Sequence, residues 1–184
     1  LMDIVLHPDY ASNKLIYLSL SVGTPEAKTL RVIRARFAGD GLEDIQTVFE
    51  AAPKRDTYVH YGARLAFLAD KTLLITNGDG FDYREEAQSL GNHYGAIVRV
   101  TDNGKVPADN PFVNDDAPLP EIWSYGHRNP QGILVDPQTG TVFETEHGPR
   151  GGDELNIIEP GQNYGWAIAT YGLDYFGARG SPYT

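Results

Sequence analysis

The sequence contains no cysteine, which excludes disulfides, zinc–thiolate centres and thiol nucleophiles while leaving the compartment open. It is also short of positive charge: 15 Lys and Arg stand against 25 Asp and Glu, a net charge of −10 with pI near 4.8. A nucleic-acid partner needs a basic face, so the balance argues against that class. An anionic membrane is disfavoured on the same ground, and the acidity is spread along the chain as on a solvated surface. No apolar run approaches the ~18 residues that span a bilayer, and no signal peptide is visible. Helical periodicity is almost missing too, since only residues 84–90 carry a turn or two of it.

What remains is strand. The 184 residues, 41% of them hydrophobic, suit one domain. Short β-branched or aromatic runs cover residues 15–22, 30–37, 45–50, 65–69, 73–76, 96–101, 122–125 and 155–159. Turn signals such as Gly23-Thr24-Pro25, Asp70-Lys71-Thr72, Asp102-Asn103-Gly104 and Pro160-Gly161 separate them. Short strands between turns predict an all-β sandwich, barrel or propeller. A loose element, an apolar pair followed by D-x-x-T/G and an apolar strand, recurs near residues 8–22, 65–76 and 132–145. Its spacing of roughly 55–65 residues suits one four-stranded blade per period.

Residues 123–166 organise the chain, holding eight of its twenty glycines and two of its five histidines. Strands over 132–136 and 141–145 are expected to pair through the turn Asp136-Pro137-Gln138-Thr139-Gly140. A hairpin returns on itself, so the polar clusters at 126–132 and 146–154 should meet at one end of a sheet. Loops on a rigid scaffold are where sites are usually built. Asn77-Gly78-Asp79-Gly80-Phe81-Asp82 has calcium-friendly composition but lacks the spacing of a calcium-binding helix-loop-helix, and reads as a hairpin loop. Arg31, Arg34 and Arg36 read as a solvated face, and Tyr10, Tyr17, Trp123 and Trp166 as core or rim packing.

Gly126-His127-Arg128-Asn129-Pro130-Gln131-Gly132, then Thr145-Glu146-His147-Gly148-Pro149-Arg150-Gly151-Gly152-Asp153-Glu154-Leu155-Asn156, then Asn163-Tyr164-Gly165-Trp166, stand in one order. Together they make the chain resemble the soluble quinoprotein sugar dehydrogenases, the glucose/sorbosone and aldose sugar dehydrogenases. The resemblance covers essentially the whole chain and implies a six-bladed β-propeller. On that reading residues 1–184 are about half of one, roughly three blades, with both ends of the parent protein missing. It implies oxidation of aldose sugars at C1 to lactones with hydride transfer to pyrroloquinoline quinone (PQQ), supported by Ca²⁺. The partners implied are an aldose and an external electron acceptor, with no nucleic acid and no membrane span. A homodimer is among the assemblies the resemblance allows, and the location it implies is periplasmic or secreted.

The residue roles follow from the same resemblance. His60, in Val59-His60-Tyr61-Gly62-Ala63-Arg64-Leu65, matches the general base, a task suited to a side chain that titrates near neutrality. Ala63 stands where the family commonly has glycine. Asp153 matches the acid that orients the base. Arg128 and Asn129 match the cofactor-binding pair, and His147 a further polar cofactor contact. Gly148 and Pro149 match carbonyl ligands of the catalytic calcium, while Glu154 and Tyr164 match a structural calcium site. The family's Gly-Asp pair in the 77–82 loop shapes the sugar site. Hydride acceptance needs an electrophile that side chains do not supply, so a cofactor is required. The competing readings are a calcium-dependent lactone hydrolase on a similar propeller and a non-catalytic binding propeller.

Overall fold

The protein is described by a computed structural model over residues 1–177. Three antiparallel sheets follow one another along the chain. The first joins β1 (Asp3–Leu6), β2 (Leu15–Thr24), β3 (Ala27–Phe37) and β4 (Leu42–Glu50), with one helical turn, α1 (Tyr10–Asn13), between β1 and β2. The second joins β5 (Leu65–Phe67), β6 (Leu73–Asn77), β7 (Ala96–Val100) and β8 (Ile122–Tyr125). The third joins β9 (Pro130–Val135), β10 (Val142–Glu146) and β11 (Glu154–Ile158). Within each sheet, strands adjacent in sequence are adjacent in space.

The second sheet is the middle layer. Every residue of β6 and β7 is buried, as expected for strands covered on both faces. On one face Leu73, Ile75, Val98 and Val100 pack with Tyr17, Leu30 and Val32 of the first sheet. On the other, Leu74 and Ile97 meet Val142 and Ile158 of the third. Arg99 breaks the apolar run and is satisfied: Nε donates to Thr72 Oγ1 at 2.8 Å, Nη1 to Asp109 Oδ1 at 2.9 Å, and the guanidinium lies 4.8 Å from the Trp123 ring.

The expected strands all form, with ends shifted by a few residues. The Asp136–Gly140 turn closes with Gly140 N–H to Asp136 O at 2.8 Å and Gln138 N–H to Asp136 Oδ1 at 2.9 Å. The helical turn expected over 84–90 is a 3-10 turn, Arg84–Gln88. The strand expected over 65–69 stops at Phe67, because Leu68 N–H turns back to Thr72 O at 2.9 Å. β1 was not anticipated; it is short, with alternate residues exposed.

Register decides where the loops go. Leu65 pairs with Ile75, Asn77 with Ala96, and Ala96 with Tyr125. Pro130 pairs with Glu146, and Glu146 with Glu154. The segments before β5, after β6, between β8 and β9, and between β10 and β11 therefore emerge at one end of the second and third sheets.

Candidate active site

Those loops enclose a cavity of about 400 Å³. His60, Asp79, Phe81, Arg128, Pro149 and Trp166 line it, with Asp82, Arg84, Glu85 and residues 174–176 around them.

His60 presents a ring that is 12% exposed, and its Nδ1 lies 2.7 Å from Asp79 Oδ1. Asp79 is fully buried. Its Oδ1 also accepts from Phe81 N–H at 2.8 Å, and its Oδ2 from the Trp166 indole N–H at 2.7 Å. A carboxylate already accepting from two N–H donors assigns the shared proton to His60 Nδ1 and leaves Nε2 with the lone pair. That is the form a general base requires. The backbone is set to allow it: His60 has φ +55 and Ala63 φ +68, left-handed values that cost a side-chain-bearing residue about 1–2 kcal/mol. Gly78 is required opposite, since a Cβ there would stand 2.2 Å from His60 O.

The expected pairing of Asp153 with His60 is corrected. Asp153 is exposed; its Oδ1 accepts from Gly148 N–H at 2.9 Å, and its Oδ2 is 3.8 Å from His147 Nδ1. It shapes the Gly-rich turn after β10, where its carboxylate is held by the Gly148 N–H. The acid on His60 comes from the loop after β6. The only sequence signal for it was the Gly-Asp pair at 78–79.

Arg128 is buried and stands in the cavity wall. Its Nη1 donates to the carbonyls of His147 and Gly148 at 2.9 and 2.8 Å, and its Nη2 to Tyr175 Oη at 3.1 Å. The Arg128 backbone N–H donates to Glu146 Oε2. Arg128 Nε is buried with no acceptor among the described residues, the state of a donor that awaits an anionic or carbonyl group. Asn129 faces the His60 loop instead, its Oδ1 accepting from Gly62 N–H at 3.2 Å and Gln131 Nε2–H at 3.1 Å. The His147 side chain is 61% exposed and does not line the cavity, whereas Pro149 does. Four lining carboxylates face two guanidiniums, Arg84 and Arg128, so the cavity is formally acidic.

Glu154 and Tyr164 belong to a second centre, behind Arg128. Glu144, Glu146 and His127 bring potential ligand atoms within 4.8 Å of one another. Asn156 Nδ2 donates to Glu144, Glu146 and Glu154 at 3.2, 3.3 and 3.2 Å. His127 stacks on the Tyr164 ring, centroids 4.7 Å apart. Glu144 Oε1 is buried without a partner among the described residues. Burial, and then the charge of Glu146, push the Glu144 carboxyl up to about 9. Burial raises Glu154 as well.

The sequence also gave no sign of Arg55, which sits beneath the cavity in a Lys54-Arg55-Asp56 run typical of solvated turns. It is 2% exposed. Burial lowers its pKa from the ordinary arginine value, while the neighbouring Tyr61, Tyr94 and Asp79 act in the opposite direction.

The glucose/sorbosone dehydrogenase family model matches residues 1–184. Aldose sugar dehydrogenase YliI of Escherichia coli is 43% identical over 182 residues, covering 97% of this chain and 49% of its own length. The solved apo-form of the soluble aldose sugar dehydrogenase from Escherichia coli aligns with a TM-score of 0.91 at 43% identity, over 96% of this chain and 52% of that one. The PQQ-bound aldose sugar dehydrogenase from Streptomyces coelicolor aligns with a TM-score of 0.76 at 33% identity, over 96% and 50%. The chain spans about half the length of the curated relatives it matches. Among the described residues no helix is long and apolar enough to cross a membrane.

Proposed function

Because this chain belongs to the glucose/sorbosone dehydrogenase family, we propose that the protein it represents is a quinoprotein aldose dehydrogenase, oxidising a sugar at C1 to the lactone. The observation that carries the reading is the His60–Asp79 pair, 2.7 Å apart in the cavity wall that also holds Arg128. His60 Nε2 takes the C1 hydroxyl proton. Asp79 keeps the ring in the basic tautomer and stabilises the imidazolium that forms. Trp166 and Phe81 N–H hold Asp79 in turn.

PQQ with calcium would supply the electrophile that accepts the hydride from C1. The residues present fit such a group in part. Arg128 offers a buried free Nε–H to an anion or carbonyl. Gly148 and Pro149 would offer neutral carbonyls, the hard donors calcium takes, with the Gly148 carbonyl shared with Arg128 Nη1 at 2.8 Å. A divalent cation there would also offset the excess of lining carboxylates. Asn129 acts through the base loop in this reading. The second centre would hold a structural calcium through Glu154 and the Tyr164 carbonyl, with Glu144 and Glu146 close by. The three sheets would be consecutive blades of a six-bladed propeller in a periplasmic or secreted enzyme.

The test is dye reduction by the full-length protein reconstituted with quinone and calcium, across a panel of aldoses. Turnover that depends on quinone and sugar is the expected result. Silence on every aldose, with quinone bound, would overturn the assignment.

A further inference from the structure

Arg55 is a cation almost sealed from water, and it joins no ion pair among the described residues. Its guanidinium is spent on backbone and amide oxygens. Nη1 donates to His60 O at 2.9 Å and Gly78 O at 3.2 Å, and Nη2 to Asn77 Oδ1 at 2.7 Å. The rings of Tyr61 and Tyr94 lie 4.2 and 5.5 Å from it. Its own backbone is pinned to the first sheet, paired with Lys28 of β3 by N–H···O bonds of 2.7 and 2.8 Å.

A buried cation with no carboxylate in direct contact is unfavourable unless its donors are matched in direction and number. Here they are matched to two carbonyls at one spot. One belongs to His60, the other to the residue preceding Asp79. His60 is held at φ +55, a conformation that persists only where the surroundings impose it. Gly80, with φ +72, leaves room for this packing, since a Cβ there would lie 3.0 Å from Arg55 Nη1. We propose that Arg55 is a positioning residue that clamps the His60 loop to the Asp79 loop and thereby sets the geometry of the base. The planar fork is needed because one head must reach three oxygens at once, which an ammonium on a flexible stem does not do. Arg55 does not itself line the cavity and touches no reacting atom; it reaches the site through the His60 and Gly78 carbonyls.

The inference rests on the proposed function only for its kinetic readout, so the closing experiment carries a second one. Full-length protein labelled with ¹⁵N-histidine is compared as wild type, Arg55→Lys and Arg99→Lys. Arg99 is equally buried but lies away from the cavity, and it reports the effect of losing a buried guanidinium as such. The His60 Nδ1–H signal is identified by its loss in His60→Gln. In Arg55→Lys its exchange with solvent should speed up at least ~10-fold, because opening of the His60–Asp79 bond is no longer resisted. In Arg99→Lys it should stay within about twofold of wild type. With sugar, kcat in Arg55→Lys should fall ~10–100-fold with KM little changed, as expected for a misplaced base. Exchange within twofold of wild type in Arg55→Lys overturns the clamp, whatever the kinetics show. Equal acceleration in both variants overturns it too, since the effect would then be general destabilisation. Absence of sugar oxidation in every protein would sink the dehydrogenase reading while leaving the exchange result to decide the clamp.

Discussion

His60 and Asp79 are nineteen residues apart in the chain, yet His60 Nδ1 and Asp79 Oδ1 are 2.7 Å apart in space. The antiparallel pairing of β5 with β6 closes that distance, by returning the end of β6 to the start of β5.

Asp79→Asn should therefore cost ~10²–10⁴ in kcat in the reconstituted full-length protein, because an amide donates to Nδ1 and traps the wrong tautomer. His60→Ala should lose a similar factor. Asp153→Asn, on the exposed turn, should stay within about tenfold. Steady-state kinetics on the three variants decide which acid serves the base; a larger loss at Asp153 than at Asp79 would reverse the assignment.

Glu144 gives the stability a pH dependence of unusual sign. Its carboxyl is raised to about 9 by burial and then by Glu146. Below its unfolded value the group is protonated in both states. Between there and about 9 the folded state holds the extra proton, so stability falls as pH rises. The slope is at most about 1.4 kcal/mol per pH unit. Glu121 acts oppositely: its hydrogen bond to His93 lowers it, so its contribution is lost in acid. Thermal midpoints should thus decline from mildly acidic toward alkaline pH. Glu144→Gln should flatten that decline, and a variant that declines like wild type would count against a neutral Glu144.

Calcium at the second centre should raise the thermal midpoint of the quinone-free, full-length protein. Saturation at 100 times Kd contributes about 2.7 kcal/mol. Chelator should reverse the gain, and Glu154→Gln should abolish it. A midpoint indifferent to calcium at every pH would remove the structural site. Loss of turnover on chelation, restored by calcium, is the separate expectation for the Gly148–Pro149 carbonyls.

Residues 1–184 produced alone should associate. Leu134, Leu155 and Ile157 are each more than half exposed on the third sheet, and Ile4 and Leu6 are likewise exposed on the first. Open apolar sheet faces favour contact between copies. Light scattering should show oligomers, and Leu155→Lys combined with Ile157→Lys should reduce them. A monodisperse monomer with these faces intact would contradict the expectation.

The strands were legible because alternation and turn chemistry are local. The 136–140 turn and the β9–β10 hairpin follow from five residues of sequence. The meeting of the 126–132 and 146–154 clusters followed from the hairpin alone, and Arg128 does bond the carbonyls of His147 and Gly148. Asp79, Trp166 and Arg55 were not legible as a unit, because their partnership is set by the register of separate strands and the stacking of separate sheets. Asp153 looked like the orienting acid by its place in a motif, and a motif does not state which way a turn points its carboxylate. Ala63 illustrates the converse: its left-handed backbone matches the glycine expected there, and the neighbouring contacts hold it in place.

The order of sheets along the chain has a kinetic consequence. Each sheet is a meander of successive hairpins, so its pairings close short loops and can form early. The bond from the Trp166 indole to Asp79 spans 87 residues and joins segments that follow different sheets. Its loop-closure entropy is recovered only once the second and third layers have docked. The set of donors around Asp79 is therefore completed only on that docking, and the arrival of the Trp166 indole beside Asp79, read as a fluorescence change, should follow formation of the individual sheets.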